Sequence, residues 1–340
     1  MKKILIVNVN WLGDVIFSSP VFRALKAAYP GCHIATMAPS RVEGILGHVA
    51  DVDQFIAYDD RLTHRSLWAK IRLVRELRRE RFDAVFLLHR SLSRACMMYL
   101  AGIPIRVGYD TKKRGCFLTH KIQYSKDLLH RSDHYLSVIE SFGVKVEDRR
   151  NILVVKDFAQ KNMADVLSKS GIGTGDFLVI LNPGGNWDLK RWPKENYAQL
   201  IVKLNAMKGV KMIVSGSSND EDLAAAIISE SKCNVINLAG KMNLDNLVAL
   251  LARANCLVSA DSGPLHIASS VGTSVVGIFG PTSPEITGPR GTGEVVLLQH
   301  HLDCNKTACY NLKCDDNKCM KDISVEEVLD AVVGLRERKC

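Results

Sequence analysis

The chain has 340 residues, of which 47% are hydrophobic and 24% are charged. This length suits two domains better than one core, and no apolar run reaches the roughly 18 residues that a membrane-spanning helix requires. The formal net charge of +9 is uneven, because residues 1–170 carry a balance of +11 and the remainder a balance of −2. The positive half favours an anionic partner, and nucleic acid, anionic lipid and phosphorylated glycan all qualify. A solvated basic surface is the alternative interpretation.

The first half of the chain alternates between two hydrophobic periodicities. Its apolar N-terminal run is interrupted at Asn8 and Asn10, which predicts a first strand in a cytoplasmic protein rather than a signal peptide. The patterns predict strands at 4–9, 33–37, 54–58, 84–88 and 106–108, and helices at 15–28, 66–81, 93–100 and 134–142. Such alternation with short connections indicates a parallel sheet covered on both faces.

The second half repeats this alternation. We predict strands at 177–182, 211–215, 235–237, 256–259 and 274–279, and helices at 194–207, 220–229, 244–253 and 266–271.

Ten cysteines without a signal peptide argue for reduced thiols, and four of them recur every five residues, at Cys304, Cys309, Cys314 and Cys319. This is not the Cys-x-x-Cys spacing of common zinc ribbons. A surface loop is the preferred interpretation, and a metal or cluster site is the alternative.

The predicted fold class is therefore α/β, with two doubly wound domains. We place them at 1–160 and 172–323, because the glycine-rich stretch 171–175 has the composition of a linker. A terminal helix at 324–340 opens on a capping-box pattern at Ser324, and it can pack back on the N-terminal domain. Two such domains are expected to face each other across a cleft, and binding sites favour such interfaces.

Two loops at strand ends carry candidate chemistry. In the first, Asn10-Trp11-Leu12-Gly13-Asp14, the glycine allows a ligand to approach and the carboxylate falls on the first helical turn, where it can act as a general base. An ordinary helix N-terminal acid is an equally good interpretation. The absence of Gly-x-Gly-x-x-Gly disfavours a dinucleotide dehydrogenase.

The second loop runs from Asn182 to Pro193 and combines glycines, cations and a helix start. Gly184, Gly185 and Asn186 can present N–H groups to an anion, and Lys190 and Arg191 can neutralise a diphosphate leaving group. A solvated loop is the alternative, and the coincidence of these features favours the functional interpretation.

Two further loops follow strands in the second half. Ser217 lies in a serine-rich turn that can contact a ribose or base. In the alternative interpretation the turn caps the next helix through Ser218 or Asn219. In the other loop, four residues indicate a nucleotide or sugar-phosphate site at the sheet edge: Asp261, Ser262, Gly263 and His266.

Taken together, these motifs resemble the heptosyltransferases of lipopolysaccharide inner-core assembly, glycosyltransferase family nine. The resemblance covers nearly the whole chain and rests on these runs: Trp-Leu-Gly-Asp at 11–14, Pro-Gly-Gly at 183–185, Lys-Arg-Trp-Pro at 190–193, Ser-Gly-Ser at 215–217, Leu-Ala-Gly at 238–240, Asp-Ser-Gly-Pro-Leu-His at 261–266 and Phe-Gly-Pro-Thr-Ser-Pro at 279–284. Lys-Arg-Trp-Pro and Gly-Pro-Thr-Ser-Pro match the members that extend an existing heptose more closely, those of the heptosyltransferase II type.

The resemblance implies a GT-B fold and metal-independent, inverting transfer of a heptose from ADP-heptose to lipid-A-linked Kdo or heptose, with no cofactor. Asp14 matches the general base, Lys190 the phosphate-binding lysine and the 261–266 loop the donor-site loop. Donor contacts are also expected from residues 184–186, Arg191 and Ser217, although some members have other residues at 185–186 and 217–218. Acceptor contacts are expected from Asn10, Trp11, Gly13, Lys112 and Arg114. The helix at 66–81 with Trp68 adds candidate contacts to an acceptor at an anionic inner-membrane surface, where the enzyme is expected to associate peripherally. We expect a monomer and no nucleic-acid partner.

Two other functions share this domain plan. A GT-B nucleotide-sugar epimerase would convert its substrate without an acceptor. A non-catalytic sugar-nucleotide-binding protein would bind its ligand without releasing ADP.

Overall fold

The computed structural model describes residues 1–124, 129–300, 304, 309, 311 and 313–338. Contacts divide the chain into two compact units, Met1–Leu153 and Val154–Cys340. Each unit contains one six-stranded sheet whose described strand pairs are all parallel.

The first unit has the strand order β3-β2-β1-β4-β5-β6. Its strands are β1 (Lys3–Val7), β2 (His33–Ala38), β3 (Gln54–Ala57), β4 (Ala84–Leu87), β5 (Ile105–Tyr109) and β6 (His120–Ile122). Its helices are α1 (Leu12–Phe17), α2 (Ser19–Ala28), α3 (Glu43–Leu46), α4 (Leu67–Glu80), α5 (Leu92–Leu100) and α6 (Arg131–Glu140).

The second unit repeats that order as β12-β11-β10-β7-β8-β9. Its strands are β7 (Phe177–Asn182), β8 (Val210–Val214), β9 (Ile236–Asn237), β10 (Cys256–Ala260), β11 (Ser274–Ile278) and β12 (Val295–Leu298). Its helices are α7 (Asp157–Lys169), α8 (Lys194–Asn205), α9 (Glu221–Ser231), α10 (Leu244–Arg253), α11 (Gly263–Ser270), α12 (Pro284–Thr287), α13 (Lys318–Lys321) and α14 (Val325–Glu337).

Both sheets have the order of a dinucleotide-binding Rossmann fold, 3-2-1-4-5-6, with its reversal between the first and fourth strands. Strands β7, β10 and β11 are buried at every residue, as expected where helices cover both faces of a parallel sheet. The predicted α/β class with two doubly wound units is confirmed. Ligands of such sheets bind at the point of reversal, which directs attention to the β1/β4 and β7/β10 strand ends.

The sequence patterns predicted no helix before the glycine-rich stretch 171–175, whereas α7 spans Asp157–Lys169. Ala159, Met163 and Leu167 recur every four residues and are buried, and α7 packs against α10. The predicted helix at 15–28 is also interrupted. It ends at Phe17 and resumes at Ser19, with Pro20 in the first turn of the second helix, a position that proline favours.

The terminal helix α14 packs within the second unit. Its capping box joins Ser324 and Glu327 as predicted, and it contacts α8 while Val328, Val332 and Leu335 enter the core of that unit. This corrects the expectation that the helix packs back on the N-terminal domain, because the apolar face of α14 packs against the sheet of the second unit. Among the described residues, no helix has the length and apolar character needed to cross a bilayer.

Candidate functional site

Three predicted donor-side residues meet where the second sheet reverses its order. Strands β7 and β10 are neighbours, and the loops that follow them carry Lys190 and Asp261. The Lys190 Nζ lies 2.8 Å from the Asp261 Oδ2, and the His266 Nε2 lies 3.3 Å from the Asp261 Oδ1. The fold therefore assembles a cation, a carboxylate and an imidazole from two loops, as the strand-end argument predicts.

The Asp261 carboxylate is ionised despite its burial. Burial would by itself raise the pKa of this carboxyl, but the hydrogen bond and charge of His266 and the charge of Lys190 outweigh that effect and hold the pKa well below its usual range. Only 8% of Asp261 is exposed, whereas 26% of the Lys190 side chain is exposed. The lysine therefore remains accessible to a second anionic partner.

Arg191 holds the loop after β7 in place. Its guanidinium donates two hydrogen bonds to the Gly185 carbonyl, at 3.1 and 2.8 Å, and its Nη2 lies 3.5 Å from the Asp220 Oδ1. A Cβ atom on Gly184 would lie 2.4 Å from the Asp220 Cγ, so this position requires glycine. The Arg191 guanidinium therefore holds the conformation of the loop after β7. Asp220, the buried carboxylate beside it, was not singled out from the sequence.

The serines of the site cap and order their loops. Ser217 forms a capping box with Asp220, so the cap of this turn is Ser217 and not Ser218 or Asn219, the residues expected for that role. The Ser262 Oγ lies 2.8 Å from the Ser259 Oγ at the N-terminus of α11. Helix α11 begins at Gly263, three residues before the predicted start, so its first-turn N–H groups follow β10 directly. Asn186 is exposed beside this edge.

Asp14 occupies the corresponding edge of the first unit. It lies in the first turn of α1 after β1, and its Oδ1 accepts a 2.9 Å hydrogen bond from the hydroxyl of Tyr135 on α6. Burial and the neighbouring Asp14 charge raise the pKa of Tyr135 well above its ordinary value. The phenol therefore stays protonated and orients a half-exposed carboxylate.

A partly buried network holds Asn10 in the loop between β1 and α1, the helix that carries Asp14. The Asn10 Nδ2 lies 3.1 Å from the His89 Nε2, and the Asn10 Oδ1 accepts from the Arg94 Nη2 at 2.9 Å. Burial, followed by the charges of Arg94 and Arg114, lowers the pKa of His89 to about 3. The imidazole is therefore neutral at pH 7 and accepts the Asn10 hydrogen bond.

The predicted acceptor contacts differ in accessibility. Trp11 is 64% exposed, with the Arg41 guanidinium 5.2 Å from its ring, and Lys112 is exposed. Arg114 is fully buried and donates to the Tyr109 and His89 carbonyls at 2.7 and 2.6 Å. This corrects its assignment as an acceptor contact, because its donors satisfy buried backbone oxygens.

Sequence reasoning missed Tyr135, His89 and Arg94. Tyr135 lies 121 residues from Asp14, and no local spacing links them. His89 follows the end of β4, which pairs with β1, so the strand-end argument applied to all parallel strands would have identified it. Arg94 was hidden in an ordinary helical pattern.

The four regularly spaced cysteines are free in the structure. Cys304 is exposed, and the other three are partly buried. Burial, followed by the neighbouring thiols of Cys314, Cys304 and Cys309, raises the pKa of Cys319. Within the described residues, no three His, Cys, Asp or Glu side chains are arranged to hold a metal ion.

Comparison with known proteins agrees with this architecture. Residues 70–316 match glycosyltransferase family 9 (heptosyltransferase). Lipooligosaccharide heptosyltransferase 2 of Haemophilus influenzae is 31% identical over 307 residues, covering 86% of this chain and 88% of that protein.

Two solved structures share the fold over almost the whole chain. A family 9 glycosyltransferase from Veillonella parvula has a TM-score of 0.86 at 24% identity, covering 99% of this chain and 97% of its own. The ADP-heptose lipopolysaccharide heptosyltransferase II of Escherichia coli has a TM-score of 0.80 at 23% identity, covering 100% and 99%.

Two Rossmann-like units, each with polar loops at its point of strand reversal, have the architecture of the GT-B fold. The chain belongs to glycosyltransferase family 9, the heptosyltransferases. The resemblance drawn from the strand-end motifs is confirmed, including its likeness to the heptosyltransferase II type.

Proposed function

We propose that this protein transfers a heptose from ADP-heptose to the inner core of lipopolysaccharide, onto Kdo or heptose carried by lipid A, with inversion at the anomeric carbon. The observation that carries the proposal is the Lys190–Asp261–His266 cluster at the point of strand reversal in a family 9 chain. The curated relative at 31% identity bears the name of a heptosyltransferase.

The donor is assigned to the second unit. The first-turn N–H groups of α11 and the backbone at Gly184 and Gly185 suit phosphate oxygens. Lys190 supplies the positive charge for the departing diphosphate, and its bond to Asp261 keeps the ammonium group at the strand edge. Asn186, Arg191 and Ser217 shape the surrounding loops rather than contribute most of the charge.

The acceptor is assigned to the first unit. Asp14 removes the proton from an acceptor hydroxyl, the hydroxyl oxygen forms a bond to the anomeric carbon, and the bond between that carbon and the diphosphate oxygen breaks with release of ADP. Tyr135 orients the carboxylate, while Asn10, Gly13, Trp11 and Lys112 contact the acceptor. A single displacement of this kind inverts the anomeric configuration.

The proposed chemistry requires no metal, because Lys190 supplies the charge that a divalent cation would otherwise provide. The segment with Cys304, Cys309, Cys314 and Cys319 accordingly holds no catalytic metal. Elemental analysis of the purified protein checks this point, and stoichiometric zinc or iron whose removal abolishes transfer contradicts it.

We place the enzyme as a monomer on the cytoplasmic face of the inner membrane. Residues 1–170 carry the positive balance of +11, which suits a phosphorylated lipid acceptor and anionic lipid. The acceptor is presented at a bilayer surface, so peripheral association does not require a spanning segment.

A screen of nucleotide sugars against lipid-A-linked Kdo and heptosyl-Kdo acceptors, measured by mass spectrometry, tests the proposal. We expect the acceptor to gain one heptose for each ADP released. Conversion of the nucleotide sugar without an acceptor would favour the epimerase, and binding without ADP release would favour the non-catalytic alternative.

A further inference from the structure

Helices α4 and α5 of the first unit form an apolar groove of about 390 Å³. Leu67, Ile71 and Val74 line it from α4 at helical spacing, and Met97 and Leu100 line it from α5. The deeper residues of α4, Leu73 and Leu77, belong to the core of the unit. The groove adjoins the core, since Met97 belongs to it and Val74 packs against it, and it lies outside the site described above.

Large exposed apolar side chains lie at the start of α4 and in the turn before it. Leu67 is 71% exposed, Trp68 is 78% exposed, and Leu62 in the preceding turn is 75% exposed. Contiguous exposed apolar surface on a soluble protein marks interaction sites. Tryptophan and leucine at the start of an amphipathic helix are typical of elements that lie in a bilayer interface.

Basic residues lie in and next to the groove. Residues 61–81 contain eight Lys/Arg and two Asp/Glu, and Lys70, Arg75 and Arg78 line the groove. In the described part of the chain, Lys70, Arg72 and Arg75 form no ion pair with a carboxylate, and the Arg78 Nη2 donates to the Leu100 carbonyl. Aliphatic and aromatic side chains next to such cations are complementary to acyl chains beneath anionic headgroups.

We propose that the α4/α5 patch, defined as Leu62, Leu67, Trp68 and the groove between the two helices, docks on an anionic lipid bilayer. Leu67 and Trp68 insert below the headgroups, and Lys70, Arg72 and Arg75 contact lipid phosphates. This deepens the proposed function, which places the reaction at a membrane surface. The proposal identifies the surface that binds the membrane and the side of the first unit that faces the bilayer. It also requires both the apolar and the anionic component of the lipid.

Vesicle co-sedimentation without donor or acceptor tests the docking directly. We expect the protein to pellet with vesicles of phosphatidylglycerol and phosphatidylcholine but not with phosphatidylcholine alone. Leu67→Ser with Trp68→Ser lowers the bound fraction at least fivefold, and so does Arg72→Glu with Arg75→Glu. Phe158→Ser, which replaces an exposed aromatic residue on α7 of the second unit, leaves binding unchanged.

Fluorescence locates the inserted residue. Dibrominated phosphatidylglycerol chains quench the wild-type protein, and Trp68→Phe keeps vesicle binding but loses most of that quenching. Because these variants lie in the first unit and ADP is assigned to the second, folding is checked by circular dichroism and by a cooperative urea unfolding transition like that of the wild type. Because vesicle binding and heptose transfer are separate measurements, either can fail alone.

Wild-type vesicle binding by the Leu67/Trp68 double variant would overturn the proposal. So would quenching that survives Trp68→Phe. A dimer in sedimentation velocity that becomes a monomer in the double variant, with vesicle binding unchanged, would instead assign the patch to a second copy of the chain.

Discussion

The two units have the same strand order but place opposite chemistry at the point of reversal. In the first unit the edge holds a carboxylate oriented by a phenol, with a neutral imidazole beside it. In the second unit it holds a lysine, an ionised buried carboxylate and a histidine in one cluster. We propose that one scaffold carries a proton-accepting site in the first unit and an anion-binding site in the second, because the loops after the strands differ while the strand order does not.

The largest expected effect comes from removing the base of the first unit. Asp14→Asn keeps the shape of the side chain but cannot accept a proton, so we expect turnover at saturating substrates to fall about 10²- to 10⁴-fold. Initial rates of ADP release measure this. Tyr135→Phe, which removes only the orienting hydrogen bond, serves as the milder comparison. Near-normal turnover of Asp14→Asn would place the base elsewhere.

The second unit is tested through its lysine. Lys190→Ala removes a charge-assisted contact to the diphosphate, so we expect ADP affinity to fall about 10- to 100-fold by calorimetry. Lys194→Ala is the matched control, since Lys194 begins the next helix and lies 3.9 Å from Glu195. Equal affinities of the two variants would remove Lys190 from the anion site.

Asp261 links the stability of the second unit to pH. Its pKa in the folded protein lies below the ordinary value of about 4, so its stabilisation is complete above that pH and is lost as the pH falls toward the folded-state pKa. Asp261→Asn should lower the free energy of unfolding by about 2 kcal/mol at pH 7. Urea titrations should show the difference from wild type shrinking below about pH 4. A difference that stays constant down to pH 2 would contradict the assignment.

The smallest expected effects distinguish a residue that stabilises the fold of the first unit from a residue that binds the acceptor. Arg114→Met leaves the Tyr109 and His89 carbonyls without their donor, and we expect the free energy of unfolding to fall by about 1–2 kcal/mol. Lys112→Ala should leave stability unchanged and raise the acceptor KM a few-fold. If Arg114→Met raised the acceptor KM without changing stability, and Lys112→Ala lowered stability without changing the KM, Arg114 would again be an acceptor contact.

Local signals predicted most of the fold but not the contacts that position the site. The bounds of β7 and α10 agree with the prediction, because apolar runs end there at polar turns. The helix α7 was missed although Ala159, Met163 and Leu167 carry its period, since the nearby glycines suggested a linker.

In the candidate site, too, local signals predicted the residues at strand ends but not the contacts that depend on tertiary packing. Strand-end reasoning predicted Asp14, Lys190 and Asp261, because parallel strands deliver their loops to one edge, and the structure brings Lys190 and Asp261 together. It could not identify Tyr135 as the partner of Asp14, which depends on packing across 121 residues. It also placed Arg114 on the surface, whereas the preceding Lys112 and Lys113 have positive φ angles and Arg114 itself is buried.

Hydrogen exchange of the full chain with and without ADP tests most directly the proposal that the nucleotide binds to the second unit. The account predicts that ADP slows amide exchange at 183–191 and 261–266, around the Lys190–Asp261 pair. Slower exchange confined to 8–14 and 89–94, with the second-unit loops unchanged, would contradict it.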